Sequence, residues 1–396
     1  MDRRSILPRR TGLSRIRLEA PTCYDRRRAC PHRSLASDFL AVYGHSMPKP
    51  PVNIAPVDAE YPLFAGVDVG GTNTKIGFVD HQGRTVAFTS FPTEEEKGPD
   101  DAVIRMAQAI LRLTDENQLE QSAIAAIGLA TPGSMDIPRG IIVEPPNMPH
   151  WRDFPVRDAL SAASGKPVVF ANDANAAAYG EFWIGRGRDQ SSLVMLTLGT
   201  GVGGGIIVDG HAIDGINSFG SECGHMIVDS RTDARLCVWG GGRGELEAYA
   251  SAPAIVARTR EALSADPRTS IAKRLDQGQA LTTRMLAEEA ESGDEFSIDI
   301  ILETGRYLGV AITTLVHVID PGAVILGGAV DFGGTSTTIG RRFLATIRDE
   351  FQSRAYGIVR EKTVIDFAEL GGDAGYLGAA GIARTCQSRP TPQSNS

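Results

Sequence analysis

Two segments of this chain share one plan. Ala65-Gly-Val-Asp68-Val-Gly70-Gly71-Thr72 is an apolar run that ends in a glycine turn, and a return strand follows from Lys75 to Asp80. Met195-Leu-Thr-Leu-Gly199-Thr200-Gly201, with a return strand from Gly205 to Asp209, repeats it 130 positions later. A strand, loop and strand cannot bury itself alone, so the repeat predicts an internal duplication with one such unit opening each of two α/β domains. A third glycine pair, Gly327-Gly328, follows the expected strand Ala323 to Leu326.

The stretches between these units alternate strand and helix. Val103, Met106, Ala107 and Ile110 recur at helical spacing behind Asp100 as an expected cap. Buried strands are expected at Ile124 to Ala130 and at Val168 to Ala171, the second leading through Asn172-Asp173 into the Ala-rich helix Ala174 to Phe182. Phe296 to Val318 is apolar at helical spacing, and Gly371 to Ala383 reads as a helix of small residues. The fold class is therefore α/β.

The glycine loops restrict the chemistry. Gly199-Thr-Gly201-Val-Gly-Gly204 fits the G-x-G-x-x-G dinucleotide pattern, but Ile206-Ile207-Val208 after it reads as a strand where that motif needs a helix. No G-x-x-x-x-G-K-[ST] is present. What remains is a pair of hairpins whose tips let backbone N–H groups converge on phosphate oxygens, with Thr72 and Thr200 adding hydroxyls. Asp68 interrupts an apolar strand just before the first tip. It either faces solvent at a sheet edge or anchors Mg²⁺ beside phosphates. Asp173 stands where a buried strand becomes a helix, as the helix N-cap or as a base kept ionised by the helix N-terminus.

Composition excludes several classes. The 396 residues carry 42% hydrophobic and 22% charged side chains, and no apolar run reaches the ~18 residues that span a bilayer. The net charge of −8 argues against nucleic acid or a membrane surface as partner. Residues 1–46 differ, since ten Arg against four acids give +6 there and leave −14 for the rest. With no apolar periodicity and nothing hydrophobic after Arg3-Arg4, residues 1–60 read as a disordered Arg/Pro-rich head, with Met47 as an alternative start. Five Cys, of which Cys223, Cys237 and Cys386 lie in the body, are too few for a disulfide framework and point to a cytoplasmic location.

Four motifs together resemble the ROK sugar kinases, in particular the bacterial glucokinases. They are Asp68-Val-Gly-Gly-Thr-Asn-Thr-Lys75, Ala171-Asn-Asp173-Ala-Asn175-Ala, Leu198-Gly-Thr-Gly-Val-Gly-Gly-Gly205 and Glu222-Cys-Gly-His225. The resemblance covers about residues 63–384 and implies an actin/hexokinase-like (ribonuclease H-like) fold. That fold is two duplicated domains, each on a mixed five-stranded sheet, with ATP and a sugar in a central cleft. The implied nucleotide contacts are Asp68, Gly70, Gly71, Thr72, Lys75, Gly199, Thr200, Gly201, Gly203, Gly327 and Gly328, with Asp68 holding Mg²⁺ through phosphates or water. The implied base is Asp173, and the implied sugar contacts are Asn147, Asn172, Asp173, Glu222, His225 and Glu247. On the same grounds the small domain runs over 61–178, the large one, which also contacts adenosine, over 179–385, and 386–396 form a disordered tail. The final helix is expected to pack back onto the small domain.

The chain departs from the family at one place. Where the family has C-x-C-G-x-x-G-C-L-E and binds a structural Zn²⁺, this chain has Cys237-Val-Trp239-Gly-Gly-Gly-Arg-Gly244-Glu245-Leu-Glu247. His225 and Cys237 alone cannot close a tetrahedral site, Cys223 is expected to be a buried inert thiol, and zinc is not expected. Trp239 is expected to pack where the metal would have cross-linked the loop. Glu222 and His225 resemble half a di-iron motif, but no second Glu-x-x-His exists to complete it.

The expected activity is ATP-dependent phosphorylation of a hexose, foremost glucose at its 6-hydroxyl, by an enzyme compatible with a homodimer. Other acceptors stay open: N-acetylglucosamine, N-acetylmannosamine, mannose and fructose, as does a polyphosphate donor. A sugar-responsive repressor is the rival from another class, and it would need an N-terminal winged helix-turn-helix. Residues 1–60, with Pro8, Pro21, Pro31, Pro48, Pro50 and Pro51, lack that periodicity.

Overall fold

The computed structural model describes residues 54–145, 148–238, 241–265 and 268–387. The expectations for residues 1–53, Met47, Asn147, Trp239 and the tail beyond Gln387 lie outside the described residues. Residues 54–60, read from sequence as part of the head, are tied to the body. Ile54 N donates to Thr85 O at 2.9 Å, and Glu60 N donates to Asp80 Oδ2 at 3.1 Å.

The first sheet holds β1 (Leu63–Val69), β2 (Asn73–Val79), β3 (Thr85–Pro92), β4 (Ile124–Thr131) and, after the hairpin β5 (Ser134–Asp136) and β6 (Ile141–Glu144), β7 (Val168–Asn172). The second holds β8 (Leu193–Leu198), β9 (Val202–Val208), β10 (His211–Ala212), β11 (Ala323–Gly328) and β12 (Val364–Phe367). Their orders are β3-β2-β1-β4-β7 and β10-β9-β8-β11-β12. In each sheet the first three strands form an antiparallel meander and the last two join in parallel. The duplication read from the glycine hairpins thus extends to ten strands, and the mixed five-stranded sheets implied by the resemblance are both present.

Helices α1 (Pro99–Glu116), α2 (Val156–Ser164) and α3 (Asp173–Trp183) belong to the first half. Helices α4 (Glu247–Ala250), α5 (Ala252–Ala265), α6 (Ser270–Asp276), α7 (Thr283–Glu291), α8 (Glu295–Ile319), α9 (Thr338–Arg354), α10 (Gly357–Lys362) and α11 (Ala374–Gln387) follow. None of the described helices is long and apolar enough to cross a membrane. The cap expected at Asp100 is corrected. Gly98, with φ +81°, is the N-cap of α1 and Pro99 fills the first position. A Pro suits that position because no N–H is needed there, and Asp100 and Asp101 fall in the first turn, where the helix dipole favours acids. The final helix starts later than expected, after a 3-10 turn at Gly371–Asp373, and continues through Cys386 to Gln387.

Strand alternation sorts the cores. Leu63, Val67, Ile76 and Leu129 face α1 and α2, packing on Met106, Ile110, Trp151 and Leu160. Phe64, Val79 and Ala126 face the other way, onto Tyr376, Leu377, Ala380 and Ala383 of α11. The final helix therefore packs on the first sheet, as the resemblance implies. This approach needs glycine in the strands, since a Cβ at Gly66 would lie 1.8 Å from Tyr376 O. Helix α3 lies against α11 and also packs on the second sheet through Ala178 and Tyr179 beside Leu193, Met195 and Ile207. The two small-residue helices are thereby shared between the sheets.

Their crossing is tight. A Cβ at Gly378 would stand 1.7 Å from Ala176 O, and relief requires the helix backbones to separate. Gly378→Val is expected to destabilise by about 3 kcal/mol or more, a fall in thermal midpoint of roughly 5 to 10 °C measurable by circular dichroism. An unchanged midpoint would contradict this packing.

Candidate active site

In each sheet the parallel strands end at one edge, and in open α/β sheets ligands gather at the carboxyl ends of the strands. In the first sheet that edge carries Gly70, Thr131 and Asn172-Asp173; in the second it carries Gly199 and Gly328. The β1–β2 tip is closed by Gly70 N donating to Asn73 O at 3.0 Å, and Thr93 N donates to Thr72 O at 2.8 Å. Gly71 and Thr72 are exposed. The β8–β9 tip is closed by Gly199 N donating to Gly201 O at 2.9 Å, with Thr200 at its apex. Because β9 returns antiparallel to β8, this tip opens a hairpin and no dinucleotide-type helix.

The other glycines serve packing as well. A Cβ at Gly203 would meet Thr197 Oγ1 at 2.4 Å and Ala174 Cβ at 3.1 Å, so its bareness lets α3 lie on β9. Gly327 faces Met195, while Gly328, with φ +92°, lies against the Leu198 backbone. Gly70, Gly71, Thr72, Gly199, Thr200 and Gly201 therefore form the tips, with Gly203, Gly327 and Gly328 behind them.

Asp68 stands opposite Lys75 across β1 and β2. Among the described residues its carboxylate accepts no hydrogen bond. Burial pushes its pKa up to about 6, the Lys75 charge opposes this, and Asp373 adds to it. Such a carboxylate beside a glycine tip suits a hard cation that also meets phosphate oxygens, so the residues fit Mg²⁺. Lys75 Nζ donates to Gly372 O and lies 3.6 Å from Asp373 Oδ1. Asp373, 5% exposed, is a site residue that the sequence reading missed. The turn Gly371-Gly372-Asp373 ahead of a small-residue helix is the signal that would have drawn attention to it.

At the start of α3 the two alternatives for Asp173 separate. The N-cap is Asn172, whose side-chain oxygen accepts from Ala174 N at 2.9 Å and Asn175 N at 3.3 Å. Asp173 occupies the first turn, and its Oδ1 accepts from Ala174 N at 2.8 Å. Burial lifts its pKa to about 7, and the Asp68 and Glu222 charges push the same way. The expectation that the helix N-terminus keeps this group ionised as an ordinary acid is therefore corrected, because desolvation and two like charges outweigh the helix end. That Glu222 acts on Asp173 places the loop after β10 near the start of α3.

On that loop Glu222 precedes the 3-10 turn Cys223–His225. Burial raises the Glu222 pKa, His225 opposes the rise, and Glu247 adds to it. His225 Nε2 lies 4.0 Å from Glu222 Oε2, and its Nδ1 lies 3.0 Å from Glu245 Oε2. Burial works against the charged imidazole, but the hydrogen bond to Glu245 and the surrounding carboxylates raise its pKa overall. Glu247 Oε2 accepts from Val202 N at 2.8 Å, and its Oε1 accepts from Cys237 Sγ at 3.0 Å. Asp214, also missed from sequence, accepts from Asn175 Nδ2 at 3.2 Å and couples α3 to the loop before Glu222.

The residues do not fit a structural zinc. Cys237 and His225 each face a carboxylate, and Cys223 is buried, which pushes its thiol up to about 12. Among the described residues no three His, Cys, Asp or Glu side chains are grouped to hold a metal ion.

The chain is similar to sugar kinases in both sequence and fold. The glucokinase of Halalkalibacterium halodurans is 32% identical over 321 residues, covering 81% of this chain and 94% of that protein. Among solved structures, a ROK hexokinase from Thermus thermophilus superposes with a TM-score of 0.69 at 32% identity, covering 82% of this chain and 99% of that one. A ROK family glucokinase from Streptomyces griseus, in complex with glucose and AMPPNP, gives 0.66 at 32% identity with the same coverage. The profile of the ROK family matches residues 64–386, and with two glycine hairpins on duplicated five-stranded sheets, the chain belongs to the ROK family.

Proposed function

We propose that the protein is an ATP-dependent hexose kinase whose favoured acceptor is D-glucose, phosphorylated at its 6-hydroxyl. The observation that carries this reading is the state of Asp173. It is relieved of capping by Asn172, lifted to a pKa of about 7, and set beside Asp68 and Glu222. A general base works best when its pKa lies near the working pH. In the proposed step the acceptor oxygen attacks the γ-phosphorus of ATP in line, the bond to the ADP oxygen breaks, and Asp173 takes the hydroxyl proton.

The remaining residues position the reactants. The two glycine tips offer N–H groups to phosphate oxygens, Lys75 supplies positive charge, and Asp68 would hold Mg²⁺, whose charge would offset that of the phosphates. Glu222, His225 and Glu247, with Asn172 and Asn147, take the sugar hydroxyls. Carboxylates and imidazole suit this, since a site built to hydrogen-bond hydroxyls rejects analogues that lack them. The glucokinases among the relatives support glucose over the other hexoses and N-acetylhexosamines.

A coupled ADP-release assay across glucose, mannose, fructose, N-acetylglucosamine and N-acetylmannosamine tests the acceptor, with polyphosphate as an alternative donor. The expected result is the highest kcat/KM for glucose with ATP. A higher kcat/KM for either N-acetylhexosamine would overturn the glucose assignment and leave the kinase assignment standing.

A further inference from the structure

Glu245 occupies the loop that has lost its metal ligands. It is 7% exposed, its Oε2 lies 3.0 Å from His225 Nδ1, and its Oε1 accepts from Gly242 N. The loop wraps this carboxylate closely, for a Cβ at Gly241 would stand 2.3 Å from Oε2. The flanking backbone is stitched to the His225 turn, with Leu246 N donating to Met226 O and Val228 N donating to Gly244 O, both at 2.8 Å. Two residues on, Glu247 joins Cys237 to Val202 at the base of the second glycine tip. Two buried carboxylates thereby tie three stretches together: the His225 turn, the loop from Cys237 to Gly242, and the β8–β9 hairpin.

We propose that Glu245 is a positioning residue whose carboxylate fixes the His225 ring through Nδ1, turning Nε2 toward the acceptor sugar, and that this link replaces a structural metal. The proposal rests on the reading of His225 as a sugar contact. A carboxylate on one ring nitrogen sets both the orientation of an imidazole and the nitrogen it presents. Without Glu245 the ring is free to turn about its side-chain bonds, and Gly242 N loses its acceptor. Among the described residues Glu245 makes its hydrogen bonds to His225 and Gly242 and none to Asp68 or Lys75, so the sugar loses affinity and the nucleotide does not. Glutamine at 245 keeps one carbonyl oxygen for two donors and gives a smaller defect.

The test uses the full chain and its E245A and E245Q variants. It measures KM for glucose and for ATP, the zinc content of the purified protein, and the thermal midpoint with and without a zinc-selective chelator in excess Mg²⁺. E245A is expected to raise the glucose KM roughly tenfold or more and E245Q by less, with the ATP KM within about twofold of wild type. Wild-type protein is expected to hold well under one zinc per chain and to melt at the same temperature with chelator. A folded variant with the wild-type glucose KM, or one zinc per chain in the wild type, would overturn the proposal. If E245A does not fold, E245Q decides alone. If the wild type phosphorylates no sugar, the functional reading fails, and the zinc content and chelator melt still decide whether the carboxylate link stands in for metal.

Discussion

Asp173→Ala is expected to lower kcat by roughly 10² to 10⁴, about 3 to 5 kcal/mol of barrier. Loss of the helix is not expected to contribute, because Asn172 caps α3 and keeps its own hydrogen bonds to Ala174 and Asn175. The same carboxylate is a burden on the unliganded fold. Its pKa is about 7 in the folded chain against the ordinary 3.8, so the folded state binds the proton more tightly than the unfolded one. The stability gained from that proton is fully present below pH 3.8 and is lost as pH rises through 7. Asp173→Asn, neutral at every pH, is therefore expected to melt several degrees above wild type at pH 8, with the gap closing toward pH 4. At about 1.36 kcal/mol per pKa unit, the gain at pH 8 is at most about 4 kcal/mol. A variant that turns over within tenfold of wild type, or that melts no higher at pH 8, would contradict the role given to Asp173.

The second large effect is the acid limb of the rate profile. The base must be deprotonated to accept a proton, and burial holds Asp173 near 7 and Asp68 near 6. The Asp68 charge contributes to the rise at Asp173, while Asp68 itself is raised by burial and by Asp373. The kcat/KM for sugar is expected to fall toward tenfold per pH unit below pH 7 as the base Asp173 protonates, about 50-fold between pH 7 and 5. A carboxylate at the ordinary 3.8 would leave the rate flat over that range. A stopped assay at constant ionic strength, with thermal melts to show that the chain stays folded at pH 5, separates the two outcomes.

Much of this architecture is legible in the sequence because glycine and alternation are local signals. The Asp68 to Thr72 turn and the Gly199 to Gly204 turn each lie between apolar strands, and both hairpins stand at matching places in the two sheets. The site is legible where one residue breaks its surroundings, as Asp68 breaks an apolar strand and Asp173 opens a helix. Asp373 was hidden because its partner Lys75 lies 298 positions away, and only the packing of α11 on the first sheet joins them. The strand β12 escaped notice because Val364–Phe367 is four residues long and is specified by pairing with β11. Capping by Asn172 in place of Asp173 was equally unreadable, since both residues suit that position and the choice is made by how the strand delivers the chain into α3.

The account is tested most directly by ³¹P NMR of the wild-type protein incubated with glucose, ATP and Mg²⁺, with Asp173→Asn as the paired control. It predicts a new phosphomonoester resonance at the glucose 6-position, growing one-for-one with ADP and absent without sugar, and slower by at least about 100-fold in the variant. No sugar-dependent ester with glucose or any other hexose or N-acetylhexosamine, from protein that is folded and binds ATP, would contradict it.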